Sequence, residues 1–193
     1  MERANVDGIT LEYEVEGSGE PVVFIHGAHI ADAFAPLMAE PALLEVPTGA
    51  ALFEALGPSV QMFEAGDRAG AVDTFLRAVC GKDYRNTVET QIPGALDQAA
   101  ADADAFFTGE LPAVGEWTFT REDAARVTQP VLSVLGANSD GAIGLPVFAE
   151  IHERVIEWLP NAKPFLLPRA AHLLQVENPH GMAESLAAFL KGN

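Results

Sequence analysis

Apolar and polar positions change their period along this chain, and the changes divide it into three parts. Residues 9–15, ITLEYEV, alternate, with Ile9, Leu11, Tyr13 and Val15 on one side, the pattern of a half-buried strand. After the glycine-rich turn EGSGE, the run PVVFIH (21–26) is continuously apolar, as suits a strand buried on both faces of a parallel sheet. A parallel neighbour needs a crossover, and residues 31–40, with Phe34, Leu37 and Met38 at helical spacing, predict that helix. PALLEVP (41–47) is a further short apolar run closed by proline and reads as another strand.

From about residue 48 to 119 alanine dominates and β-branched residues thin out. AGAVDTFLRAVC places Val72, Phe75, Leu76 and Val79 on one helical stripe, and GALDQAAADADAFF also reads as helix. The aromatics Phe106, Phe107, Trp117 and Phe119 are expected in the core of this helical part, and Cys80 as a small buried apolar residue.

The strand pattern then returns. TREDAARV begins with Thr120 and carries Asp123 three positions on, close to a capping box. QPVLSVLG predicts a strand ending at Gly136. LPVFAEIHERVIEWLP predicts an amphipathic helix with Phe148, Ile151, Val155 and Trp158 inward and a Glu150–Arg154 pair outward. KPFLLP predicts a short strand. ENPHGMAESLAAFL predicts a last helix capped by Asn178, with Pro179 in its first turn and Met182, Leu186, Phe189 and Leu190 buried. Strands alternating with helices mean an α/β fold.

Composition removes several function classes. The chain of 193 residues carries 28 acidic against 11 basic side chains, a net charge of −17, which repels phosphate backbones and anionic membranes, so no nucleic-acid or membrane partner is expected. The polar start MERANVDG lacks the layout of a signal peptide and no apolar run reaches the length of a membrane span, which makes the cytoplasm the expected compartment. A single cysteine excludes an internal disulfide and a multi-cysteine zinc site, and no His or carboxylate cluster has ligand spacing, so neither metal nor cofactor is expected.

In open α/β sheets ligands sit beyond the carboxyl ends of the strands. Three stretches fall there: HG (His26, Gly27), GANSD (Gly136 to Asp140) and RAAH (Arg169 to His172). A histidine beside a loop acid is what activation of a nucleophile requires, the imidazole taking a proton and the carboxylate fixing its tautomer. His26 is read as structural within its turn, His29 as a residue that could line a pocket, and His152 and His180 as surface residues without a role.

GSGEPVVFIHGAH at the front, with QPVLSVLGANSD and LPNAKPFLLPRAAHLLQVENPHGMAESLAAFL at the back, resembles the α/β-hydrolases, in particular the branch with a helical lid that includes esterases, C–C bond hydrolases, epoxide hydrolases and haloperoxidase-like proteins. The resemblance implies a mostly parallel sheet flanked by helices. It divides the chain into an N-terminal part of the α/β core (1–47), a helical lid (48–119) and a C-terminal part of the core (120–193). It implies that Gly27 and Ala28 belong to an oxyanion turn and that His172 matches the catalytic histidine. Asp140 then approximates the acid, one residue past the commoner Gly-x-x-Asp spacing where Ser139 stands, and Glu45 occupies the alternative acid position. A small-molecule substrate or ligand would be the partner.

The resemblance has a gap at its centre. The family carries its nucleophile in G-x-S-x-G on a strand-to-helix turn. The serines here, at 18, 59, 133, 139 and 185, all lie outside that motif, and GPSVQ around Ser59 is the nearest match. Between the oxyanion turn and ALLE the chain lacks further strands and crossovers amounting to about 60–80 residues, at about 30 per βαβ unit. The reading is a truncated α/β-hydrolase with no identified nucleophile. Three functions stay open: a hydrolase-lineage protein without turnover, an active hydrolase using Ser59 or a His172-activated water, and an interaction module that recruits a strand to an open sheet edge. A re-paired compact sheet, or a homo-oligomer covering that edge, is expected.

Overall fold

A computed structural model describes residues 2–6, 9–13, 15, 25–26, 34–35, 46–116 and 118–192. At the front, β1 (Glu2–Val6) pairs antiparallel with β2 (Ile9–Tyr13), and Val6 lies opposite Ile9. The alternating pattern predicts the second strand and misses the first. Asp7-Gly8, the two positions between them, is a dipeptide favoured in tight hairpins, and it was the available signal. Val15, expected on the buried side, lies beyond β2 and is 73% exposed.

β3 (Ile25–His26) and β4 (Phe34–Ala35) also pair antiparallel. This corrects the crossover helix expected over 31–40, because Phe34 and Ala35 are extended. An antiparallel return needs only a short connection, whereas a parallel neighbour needs a dozen or more residues. The strand expected over 21–26 is described only at its last two residues. Of the run 41–47, only Val46 and Pro47 are described; they stand in the turn into the first helix, and Val46 is buried.

The middle of the chain is helical as the pattern predicts. It contains α1 (Gly49–Glu64), α2 (Arg68–Cys80), α3 (Tyr84–Gln91), α4 (Ala95–Ala101) and α5 (Ala103–Ala105). A π-helical turn, Phe106–Glu110, leads into α6 (Leu111–Glu116). Asp67 caps α2, accepting from the Gly70 N–H at 2.9 Å. Val72, Phe75, Leu76, Val79 and Cys80 are all buried, as the stripe requires. The Phe75 ring meets Phe106 edge-on at 4.7 Å, and Phe63 stacks on Phe107 at 4.9 Å, so the π turn presents both of its phenylalanines to the core.

The last third follows the α/β pattern closely. Thr120 caps α7 (Arg121–Ala125) in a complete capping box with Asp123. β5 (Val131–Gly136) leads through α8 (Ser139–Ile143) and α9 (Val147–Trp158) to β6 (Ala162–Leu167), which pairs parallel with β5. α10 (Leu174–Glu177) and α11 (Pro179–Lys191) close the chain. Neighbouring residues of β5 serve different cores: Leu135 packs on the large cluster with Phe148 and Ile151 of α9, while Val134 packs with Leu167, Ala170 and Met182 on the α11 side. The large cluster also contains the buried hydrophobic side chains of α1 to α4, so the helical middle and α9 share one core.

The described strands form three two-stranded sheets, of which only β5–β6 is parallel. A mostly parallel sheet is therefore not what the described residues display. Two details of the helices also differ from the pattern. Glu150 turns its carboxylate to the Thr48 N–H (2.9 Å) and hydroxyl (2.7 Å), and Arg154 lies 3.9 Å from Glu157 and over the Trp158 ring. Leu190 is 49% exposed rather than buried.

Candidate functional site

The carboxyl ends of β5 and β6 are bound to each other. The Ala137 N–H donates to the Leu167 carbonyl at 2.9 Å, and the Asn138 N–H donates to the Ala170 carbonyl at 2.8 Å. Gly136 permits this approach: a Cβ there would lie 2.6 Å from the Ala170 carbonyl oxygen and closer still to that of Ala171. Two loops expected to carry chemistry, 137–140 and 168–172, are thus brought side by side at the edge where ligands of α/β sheets sit.

The first loop delivers Ser139 and Asp140 to the first turn of α8. Ser139 is buried at 3% exposure. The Oδ1 oxygen of Asp140 is buried and has no hydrogen-bond partner among the described residues. A buried polar oxygen left so costs free energy unless a donor reaches it.

The second loop delivers His172. Arg169 takes a left-handed conformation, φ 56°, and Asn178 stabilises the turn by donating from its side-chain amide to the Pro168 carbonyl at 2.8 Å. The same Asn178 side chain accepts from the Gly181 N–H at 3.0 Å, which caps α11 as the sequence predicts. The His172 imidazole lies flat on the buried Phe148 ring of α9, with centroids 4.1 Å apart and planes inclined by 15°. Glu177 accepts from the Ala171 N–H at 2.5 Å. Burial pushes the Glu177 carboxyl above its usual value, opposed by the backbone N–H groups of Ala171 and Leu173 and by the His172 charge.

The predicted site residues fare unequally. His172, Asp140 and Ser139 are brought to one edge. Gly27, Ala28, His29 and Glu45 lie outside the described residues, and of His26 only the backbone in β3 is described. Ser59, the serine nearest the nucleophile motif, is fully buried in α1 and donates to the Leu56 carbonyl at 2.6 Å. Ser185 donates to the Met182 carbonyl at 2.8 Å. Among the described residues, no group of three or more His, Cys, Asp or Glu side chains is placed to hold a metal, and no helix is long and apolar enough to cross a membrane.

Two residues escaped the sequence reading. His152, read as a surface residue, is half-buried on α9, and its Nδ1 lies 2.8 Å from the Ser133 Oγ of β5. Burial lowers its affinity for a proton. Helical spacing carried the signal, since His152 follows Phe148 by one turn and adjoins Ile151, both core residues. Glu177 is the other, five positions beyond His172 in a helical turn that folds back on its own loop.

No protein-family model matches the chain, and no curated protein matches it. Among solved structures it is similar to a bromoperoxidase from Bacillus anthracis, at 22% identity and a TM-score of 0.51. The likeness covers 70% of this chain and 49% of that one, so the chain spans about half the length of its structural neighbour. At this identity the likeness is one of fold, and the fold is that of the α/β-hydrolases.

Proposed function

We propose that this chain is an α/β-hydrolase-lineage protein that keeps the acid–histidine end of the site, lacks the nucleophile elbow, and does not turn over ester-like substrates. The observation that carries this reading is the commitment of the described serines. Ser59 and Ser185 donate to carbonyls of their own helices, Ser133 is joined to His152, and Ser139 is buried at the start of α8. A base without a hydroxyl to deprotonate supplies nothing to acyl transfer. His172 and Asp140 then serve as a polar edge beside the Phe148 ring, suited to holding a small ligand. The truncation accounts for the gap in the sequence between the oxyanion turn at Gly27–Ala28 and Glu45, and residues 48–119 take the place of the lid.

The test is hydrolysis of p-nitrophenyl acetate by the wild type and by His172→Ala. Equal rates, both at the level of free imidazole, are expected. A wild-type rate that His172→Ala abolishes would overturn the reading.

One observation favours a second reading, an active hydrolase with an unusual nucleophile. Ser133 and His152 form a close hydroxyl–imidazole pair, and a ring protonated on Nε2 accepts the Ser133 proton at Nδ1. In that case ester turnover depends on Ser133 and His152 and is indifferent to His172.

A further inference from the structure

We infer that Met62 is a site of reversible oxidation by hydrogen peroxide, where the fold admits oxygen to one face of the sulfur and makes a single sulfoxide epimer. Met62 lies in the last turn of α1 and is partly buried against the large cluster. Its Sδ accepts the Thr74 hydroxyl of α2 at 3.1 Å. Its methyl carbon fills a slot left by the missing side chain of residue 70, since a Cβ on Gly70 would collide with Met62 Cε. The slot lies beside the turn that joins the two helices. There the Asp67 N–H donates to the Met62 carbonyl at 3.0 Å, and Asp67 caps α2 through the Gly70 N–H at 2.9 Å.

These contacts fix all but one direction at the sulfur. A thioether sulfur carries two carbons and two lone pairs. The Met62 side chain itself sets Cγ, the Gly70 slot sets Cε, and the Thr74 hydroxyl occupies one lone pair. The remaining lone pair is the nucleophile. It attacks one oxygen of hydrogen peroxide, and the O–O bond breaks. That oxygen stays on sulfur, while the other takes its proton and leaves as water. Sulfur is oxidised and the peroxide is reduced. With the other three directions held, the product has one configuration. Each sulfoxide epimer is reduced by its own enzyme, so the configuration decides which reductase restores the site. In that restoration the sulfoxide oxygen leaves as water and a dithiol becomes a disulfide.

Access separates this methionine from the other described one. Met62 and Thr74 are both only partly buried, so a small oxidant reaches the sulfur and the new oxygen meets water. Met182 is 7% exposed in the small cluster on the α11 side.

The site is independent of the His172 edge and of any ester turnover. The full chain is treated with hydrogen peroxide and digested. The peptide that carries Met62 is offered separately to an S-specific and an R-specific sulfoxide reductase, and mass spectrometry reads the loss of the added oxygen. In the wild type Met62 is expected to oxidise before Met182, and one reductase should clear nearly all of its sulfoxide while the other leaves it. The same chain oxidised in urea, where no contact holds the sulfur, should give both epimers equally. Thr74→Val keeps the shape and removes the hydroxyl, and should lose the bias. Thr74→Ser keeps the hydroxyl and should retain it. If Thr74→Val fails to fold, Thr74→Ala is read in the same way. An equal mixture from the folded wild type would overturn the inference. So would a bias that Thr74→Val leaves unchanged, or a Met62 that oxidises no faster than Met182.

Discussion

Gly136 and Ala171 touch backbone to backbone at the carboxyl ends of β5 and β6, with no room for a side chain between them. The crowding atoms are carbonyl oxygens of a hydrogen-bonded loop, which cannot rotate away as a flexible side chain would. Gly136→Ala is therefore expected to destabilise the fold by about 3 kcal/mol, at the upper end of the overpacking range. Equilibrium urea unfolding of the two proteins measures it. The same substitution should weaken the ties from Ala137 and Asn138 to Leu167 and Ala170, read as faster amide exchange at residues 137 and 138.

The burial of His152 beside Ser133 makes stability depend on pH. The folded pKa of His152 lies below its usual 6.5 because burial disfavours the imidazolium. The unfolded chain then binds the proton more readily, so the contribution of this site is complete above pH 6.5 and is lost as pH falls below it. His152→Gln should flatten the acid side of the stability curve in this window. Ser133→Ala, which removes the hydroxyl, should cost about 1 kcal/mol at pH 8.

Asp73 joins α2 to α3. It accepts from the Tyr84 hydroxyl at 2.7 Å, from Arg85 at 2.8 Å and from Arg77 at 2.9 Å. Burial works against ionisation, and the three hydrogen bonds outweigh it, holding the carboxyl down at about 2. The stabilisation is present above the ordinary value of 3.8 and disappears as pH falls through that window towards 2. Tyr84→Phe should cost about 1 kcal/mol at pH 7. The difference between Tyr84→Phe and wild type should shrink below pH 3, where Asp73 takes up its proton, and thermal melts at both pH values measure it.

Thr48 and Glu150 connect the entry of α1 to α9 across a long stretch of chain, through two hydrogen bonds to one carboxylate oxygen. Glu150→Ala leaves the Thr48 donors without that acceptor and should cost about 2 kcal/mol. Glu150→Gln, which keeps a carbonyl oxygen at the same reach, should recover part of the loss. Denaturation midpoints of the three proteins rank them.

Local pattern made the last third of the chain legible. A βαβ unit, its capped helices and the placing of Asp140 and His172 follow from runs such as QPVLSVLG and from Asn178-Pro179, because each signal acts within a few residues. The front was less legible. Phe34 begins a sequence pattern of apolar residues at helical spacing, yet it pairs with His26, a choice made by contacts between residues and not by local propensity. The two loops of the candidate site were legible as loops that follow strands, and their packing partners were not. The loop of His172 could be placed from sequence, but the Phe148 ring beneath the imidazole and the Glu177 carboxylate on the Ala171 N–H depend on how α9 and α10 fold back. Ser133–His152 was hidden for the same reason, since a strand and a helix must first pack before their side chains can meet.

Covalent capture asks whether any hydroxyl in this molecule attacks. A fluorophosphonate probe is incubated with the wild type and with His172→Ala, and the adducts are mapped by mass spectrometry of peptides. No serine adduct is expected in either protein. A stoichiometric adduct on one serine, present in the wild type and absent in His172→Ala, would contradict the account.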